Sequence, residues 1–133
     1  MLTGGCLCGE VRYEAEGAPF HETNCHCSMC RRASGAPMVA WFSVARSGLR
    51  WVRGVRTTYR SSAYAMRSFC PRCGTQLTFE SDAYPDEIDV TICSLDQPEQ
   101  VPPQDHTRTS SQLSWVKLDD GLPRYLEVRP KSG

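Results

Sequence analysis

The sequence predicts a mainly β, turn-rich domain of small sheets stiffened by bound metal, and three observations carry that expectation. Short stretches alternate apolar and polar residues with the two-residue period of half-buried strands, and none sustains the period of a long amphipathic helix. Ten glycines and nine prolines among 133 residues mark frequent turns. Eight cysteines, seven of them in three tight clusters, offer metal ligands to a chain whose hydrophobic core is small.

Taken in order, the Gly-rich knuckle Gly4-Gly5-Cys6-Leu7-Cys8-Gly9 is expected to form a turn between two strands. The second of these is the alternating run Val11 to Glu16. After Gly17 and Pro19 a short extended piece leads into Cys25-His26-Cys27-Ser28-Met29-Cys30-Arg31-Arg32. Ser28 to Ala33 suits one helical turn, ended by Ser34-Gly35. Met38–Val44 reads as a buried strand, and Leu49–Val52 as another. Ala65–Phe69 and Gln76–Glu80 flank Cys70-Pro71-Arg72-Cys73-Gly74 as the arms of a zinc-ribbon hairpin would. Glu87–Cys93 gives one more alternating strand, in which Cys93 reads as a buried small apolar residue. From Asp96 to Gln112 the chain is polar and Pro-rich. It closes with Leu113–Leu118, a turn at Asp119-Asp120-Gly121 and an apolar tail around Tyr125 and Leu126. Trp41, Phe42, Trp51 and Trp115 are expected in the core or in a pocket wall. By length, residues 1–133 are one domain.

Lys plus Arg and Asp plus Glu are equal at 15 each, which argues against a nucleic-acid or membrane-surface binder. No apolar run approaches a membrane span, and no basic-then-apolar leader opens the chain, so a cytoplasmic protein is expected. In that compartment clustered cysteines signify metal or redox chemistry rather than a disulfide framework.

Cysteines 25 and 27, two apart on an extended segment, leave the same face of the backbone, and Cys30 follows at the spacing of a tight metal-binding turn. Three sulfurs thus converge without a local fourth ligand, and a site with three protein ligands keeps a position for water or substrate. His26, between two of them, points away; His106, in the polar stretch, is the distant candidate to close the site. Cys6 and Cys8 with Cys70 and Cys73 supply four thiolates for a closed tetrahedral ion that clips the N-terminus to the middle of the chain. Spacing alone also permits Cys27/Cys30 to pair with Cys70/Cys73, but the first pairing keeps the Cys25–Cys30 triad whole. Cys70-Pro71-Arg72-Cys73 is not followed by a helix, as a dithiol redox motif would be. Arg31 and Arg32 offset the charge of a thiolate-bound metal and could clamp a carboxylate.

Gly5-Cys6-Leu7-Cys8-Gly9, Cys25 to Arg32 with Gly35, and Phe69-Cys70-Pro71-Arg72-Cys73-Gly74-Thr75 together resemble the glutathione-dependent formaldehyde-activating enzyme family, which includes centromere protein V-like proteins. Trp115 and Asp120-Gly121-Leu122-Pro123 are similar to that family's C-terminal region. The resemblance implies an Mss4-like fold of small antiparallel sheets organised around two zinc ions. Cys6, Cys8, Cys70 and Cys73 would hold the structural ion, and Cys25, Cys27 and Cys30 the catalytic one, with Arg31 and Arg32 first, and Arg12 or Arg67 after them, binding the substrate's carboxylates. It implies a carbon–sulfur lyase that condenses formaldehyde with glutathione, or acts on a similar small thiol. The chain resembles the compact relatives, being shorter than the formaldehyde-activating members proper.

Two other functions compete. A non-catalytic zinc-stabilised protein-binding module, like the exchange-factor relatives of the Mss4-like fold, would leave the triad superfluous unless a fourth ligand closed it. A B-type methionine sulfoxide reductase would need Cys93 as nucleophile, and Ile92-Cys93-Ser94 does not resemble that enzyme's Arg-Tyr-Cys signature.

Overall fold

A computed structural model describes residues 1–130, so the last three residues of the expected 1–133 domain lie outside the described residues. Its strands are β1 (Leu2–Gly5), β2 (Arg12–Ala15), β3 (Phe20–Cys25), β4 (Val39–Ala45), β5 (Leu49–Arg53), β6 (Thr57–Arg60), β7 (Ala65–Phe69), β8 (Gln76–Ser81), β9 (Glu87–Thr91) and β10 (Asp105–Thr107). The helix α1 spans Ser28–Ser34 between β3 and β4. The strands form a three-stranded sheet in the order β1-β2-β5 and a seven-stranded sheet in the order β10-β3-β4-β9-β8-β7-β6. Every pairing is antiparallel except β10 with β3. The expected mainly β architecture is therefore present.

Strand alternation decides what each sheet buries. Val11, Tyr13 and Ala15 of the small sheet pack against Phe42 and Val44 of β4, Leu77 of β8, and Ile88 and Val90 of β9. Val39 and Trp41 leave the opposite face of β4 and form a second cluster with Cys30, bordered by Cys25, Cys27 and Phe79. The small sheet also meets the turn after β9 at Gly4, where an added Cβ would lie 2.6 Å from Ser94 O and against the hydroxyl of its cross-strand partner Tyr13. That hydroxyl shares a 2.6 Å hydrogen bond with Ser94 Oγ.

Four expectations need correction. The strand from Glu87 ends at Thr91, and Ile92–Ser94 make a 3₁₀ turn that leaves Cys93 exposed rather than buried. Ser94 Oγ donates to Thr91 O at 2.8 Å, a local bond that diverts the backbone from the ladder, while Ile92 takes the place in the core. β6 was not foreseen, because Thr57, Thr58, Tyr59 and Arg60 are all exposed and show no alternation. β10 was not foreseen because its three buried residues are polar. Asp105 pairs with Arg129, His106 bonds His26, and the Thr107 and Thr23 hydroxyls lie 2.9 Å apart. Finally, Leu113–Leu118 turns on itself through Val116 N to Leu113 O, and Trp115 is 67% exposed rather than in a core or pocket wall.

Arg12 ties the small sheet to the segment after the 3₁₀ turn, with Nη1 and Nη2 on the Asp96 carboxylate at 2.9 and 2.5 Å. Those bonds, joined by one from Thr3, hold the Asp96 carboxyl down at about 2. A folded value below the ordinary carboxylate value gives stability that is complete above the ordinary value. It is lost only as pH falls toward the folded one. Both side chains are about a third exposed, so screening holds the contribution to roughly 1 kcal/mol or less. Asp96→Asn should therefore lower stability by up to about 1 kcal/mol, with no pH dependence from about 5 to 8. The loss should shrink in about 1 M salt, as read by urea denaturation.

Candidate metal centres

The turn between β1 and β2 and the knuckle between β7 and β8 bring Cys6, Cys8, Cys70 and Cys73 together, with sulfurs within 4.8 Å of one another. The two knuckles are alike. Gly9 N donates to Cys6 O at 3.1 Å and Gly74 N to Cys70 O at 2.9 Å, and each glycine has a positive φ. Backbone N–H groups also aim at the sulfurs: Val11 N lies 3.2 Å from Cys6 Sγ, and Arg72 N 3.3 Å from Cys70 Sγ. Thr75 donates toward Cys73 and holds its thiol down at about 5. The sulfur pairs Cys6–Cys8 and Cys8–Cys70 are 3.6 and 3.8 Å apart. A tetrahedral ion with metal–sulfur bonds near 2.3 Å sets its ligands about 3.8 Å apart, so this donor set fits a metal without rearrangement.

Cys25, Cys27 and Cys30 form the second cluster, also within 4.8 Å. Cys25 ends β3, Cys27 is the N-cap of α1 and Cys30 lies in its first turn, where Cys30 N donates to Cys27 Sγ at 3.3 Å. Gly35, with φ 74°, closes the helix by bonding its N–H to Arg31 O, so α1 is just long enough to present Cys30. The Cys25 and Cys30 sulfurs are 3.5 Å apart. Hydrogen bonds from the thiols of Cys25 and Cys30 hold the Cys27 thiol down to about 2, and the same contacts push Cys25 up. A metal entering here displaces protons, so its affinity falls as pH falls.

His26 does not join the triad. It is fully buried on the other side of the segment, with Nε2 3.0 Å from Nδ1 of the equally buried His106. His106 Nε2 is in turn 2.8 Å from Asp120 Oδ2. Neither histidine belongs to a metal-binding group, and no fourth His, Cys, Asp or Glu joins the three thiols among the described residues. This chain of three polar side chains fastens β10 and the C-terminal segment to the back of the cysteine strand. Asp120 lies in the Asp-Gly-Leu-Pro stretch, but sequence spacing held no sign of its partner.

The arginines fall differently from their order in the sequence. Arg31 Nη1 donates to the carbonyls of His26 and Ser111, fixing the helix to the C-terminal segment. Arg32 is exposed and forms no ion pair among the described residues. Arg12 is committed to Asp96. Arg67, from β7, reaches the triad instead: it is 5% exposed, with Nη2 3.7 Å from Cys30 Sγ. Its guanidinium lies 5.0 Å from the Phe79 ring centroid and 6.0 Å from that of Trp41. A charged residue inside the short strand before the cysteine knuckle was the available signal.

Fold and geometry together define a small β protein with a four-cysteine and a three-cysteine cluster, both able to hold a metal ion. The family model described as glutathione-dependent formaldehyde-activating enzyme matches residues 1–111, and the chain belongs to that family. A curated Halomonas elongata protein, provisionally named a glutathione-dependent formaldehyde-activating enzyme, is 25% identical over 128 residues, covering 90% of this chain and 82% of its own length. An uncharacterised lyase of Schizosaccharomyces pombe is 33% identical over 76 residues, covering 57% of this chain and 55% of the yeast protein. The crystal structure of a Rhodobacter sphaeroides protein superposes with a TM-score of 0.59 at 28% identity, over 92% of this chain and 98% of that one.

One charged neighbour completes the local electrostatics. Across the sheet Arg67 pairs with Phe79, Phe79 with Asp89 and Asp89 with Ser43, a single row on the face that carries Trp41. Desolvation pushes the Asp89 carboxyl up to about 6, against a hydrogen bond from Ser43 Oγ. A folded value above the ordinary carboxylate value means that ionisation costs stability, and that the cost fades as pH falls through about 6. Asp89→Asn should therefore match or exceed wild-type stability at pH 8, by about 1–2 kcal/mol at most, and lose that advantage progressively between about pH 6 and about pH 4. Thermal unfolding across this range at fixed metal loading checks it.

Proposed function

We propose that this chain, one zinc-binding domain over residues 1–133, is a carbon–sulfur lyase-type enzyme acting on glutathione or a similar small thiol. Its named reaction would be the joining of that thiol to formaldehyde to give S-(hydroxymethyl)glutathione. The observation that carries the proposal is the incomplete ligand set of the triad: three convergent sulfurs, and a neighbouring histidine turned away into its own hydrogen-bond chain. Family membership supplies the thiol and the aldehyde.

In this reading Cys6, Cys8, Cys70 and Cys73 hold a structural zinc, and Cys25, Cys27 and Cys30 hold a second zinc with a place left open. A zinc bound there supplies a Lewis acid and a low thiol pKa. The chain's own groups do the rest. Three thiolates around a divalent ion are net negative, and the buried guanidinium of Arg67 compensates that charge at Cys30. Arg31 positions α1, and Arg32 is the uncommitted guanidinium one helical residue further on, suited to a substrate carboxylate. Trp41 and Phe79 keep water from the inner side of the cluster. In the reaction the thiol sulfur adds to the carbonyl carbon. The π pair moves to the oxygen, and the proton given up by the thiol is restored there. Eight cysteines with no disulfide among them fit work in the reducing cytoplasm.

Zinc per chain, measured on protein prepared without chelators, tests the assignment. Wild type should hold about two ions and Cys27→Ser about one while staying folded, whereas Cys70→Ser should lose the fold. Wild type, and not Cys27→Ser, should accelerate the loss of free formaldehyde in the presence of glutathione. Unfolding of Cys27→Ser, or no acceleration by fully loaded wild type, would favour a zinc-stabilised binding module.

A further inference from the structure

Charge compensation at Cys30 accounts for only half of Arg67. Its Nη2 faces the Cys30 sulfur, but Nη1 is equally buried and has no hydrogen-bond partner among the described residues, nor does any carboxylate there lie within ion-pair distance of it. The position is not slack: the side chain stands in mid-strand with its guanidinium beside the Trp41 and Phe79 rings. An orphaned donor held this deeply is costly, and a place in the chemistry of the neighbouring site is one of the few things that account for it. The two terminal nitrogens share one carbon in a rigid plane. With Nη2 on Cys30 Sγ, Nη1 is left for an acceptor of a ligand bound beside that sulfur.

We propose that Arg67 Nη1 donates to the oxygen of the hemithioacetal at the triad site, or to that of a thiocarboxylate in its place, each of which carries sulfur and oxygen on one carbon. The inference rests on the reading of the triad as an open, thiol-binding metal site. It gives Arg67 a role at the reacting atoms. When a thiol adds to an aldehyde, the carbonyl oxygen gains the π pair as the carbon–sulfur bond forms. A guanidinium N–H aimed at that oxygen stabilises the growing charge without surrendering its proton, which arginine does not lose in this range.

Binding separates this role from simple charge balance. Thioacetate carries sulfur and oxygen on one carbon, and ethanethiol carries the sulfur alone. Affinities of both for zinc-loaded wild type, Arg67→Met and Arg67→Lys, matched for metal content, are read by isothermal titration calorimetry. Comparing each ligand with itself across variants cancels the difference in thiol acidity. Arg67→Met should weaken thioacetate about tenfold more than it weakens ethanethiol. Arg67→Lys keeps the charge but not the fork. It should leave ethanethiol within about threefold of wild type while thioacetate loses about tenfold, and it carries the test if Arg67→Met does not fold. Equal weakening of both ligands in the folded variants, or no change in either, would overturn the proposal while leaving the thiol site standing. Wild type that binds neither ligand would overturn the open-site reading, and this inference with it.

Discussion

Strand β4 has no face turned to water, and the rest of the structure is arranged to satisfy it. Its residues alternate Phe42 and Val44 to one side with Val39 and Trp41 to the other, and only Ala45 at its end is exposed. A strand of this kind needs cover on both sides. The three-stranded sheet covers the first, through Val11, Tyr13 and Ala15. The second is covered by a much smaller group, in which cysteine sulfurs, Phe79 and a buried arginine stand where a larger protein would put a helix or another sheet. The triad is thus part of what β4 buries against as well as a candidate chemical site.

That arrangement explains why an arginine sits in the interior. A guanidinium next to aromatic rings is poorly solvated, and only nearby negative charge can make up for it. Among the described residues the nearest such partner is Cys30 Sγ, and sulfur is negative only as a thiolate. Arg67 and a thiolate-bound metal therefore favour each other: the metal keeps the sulfurs deprotonated, and the cation tolerates their summed charge. The same logic gives the four-cysteine cluster a different character. It lies between two surface knuckles and is supplied with backbone N–H groups, and among the described residues no buried arginine or lysine bonds its sulfurs.

The His26–His106–Asp120 chain performs a separate task at the back of the triad strand. β10 is short, polar and at a sheet edge, and its pairing with β3 is the one parallel strand pairing among the described residues. Hydrophobic burial cannot hold such a strand, and side-chain hydrogen bonds do so instead, although His26 Nδ1 and Asp105 Oδ1 stay unpartnered among the described residues. Arg31 adds a clamp from α1 to Ser111. The helix that carries Cys30 is thereby braced by a segment 80 residues further along the chain.

Local sequence chemistry was enough to determine the knuckles at Cys6–Gly9 and Cys70–Gly74, the helical turn after Cys27, the buried character of β4 and the three cysteine clusters, but not which clusters share a metal. Thiol spacing, glycines with positive φ and two-residue alternation act over only a few positions, and can be read one window at a time. The end of β9 at Thr91, the burial of β10 and the choice among arginines could not be read that way. Each depends on a partner far along the chain: Tyr13 for Ser94, Asp120 and His26 for His106, Cys30 for Arg67. Sequence ranked Arg31 and Arg32 first because they adjoin the triad in the chain. The fold set Arg67 against it because sheet register, not chain distance, fixes which side chains share a buried face.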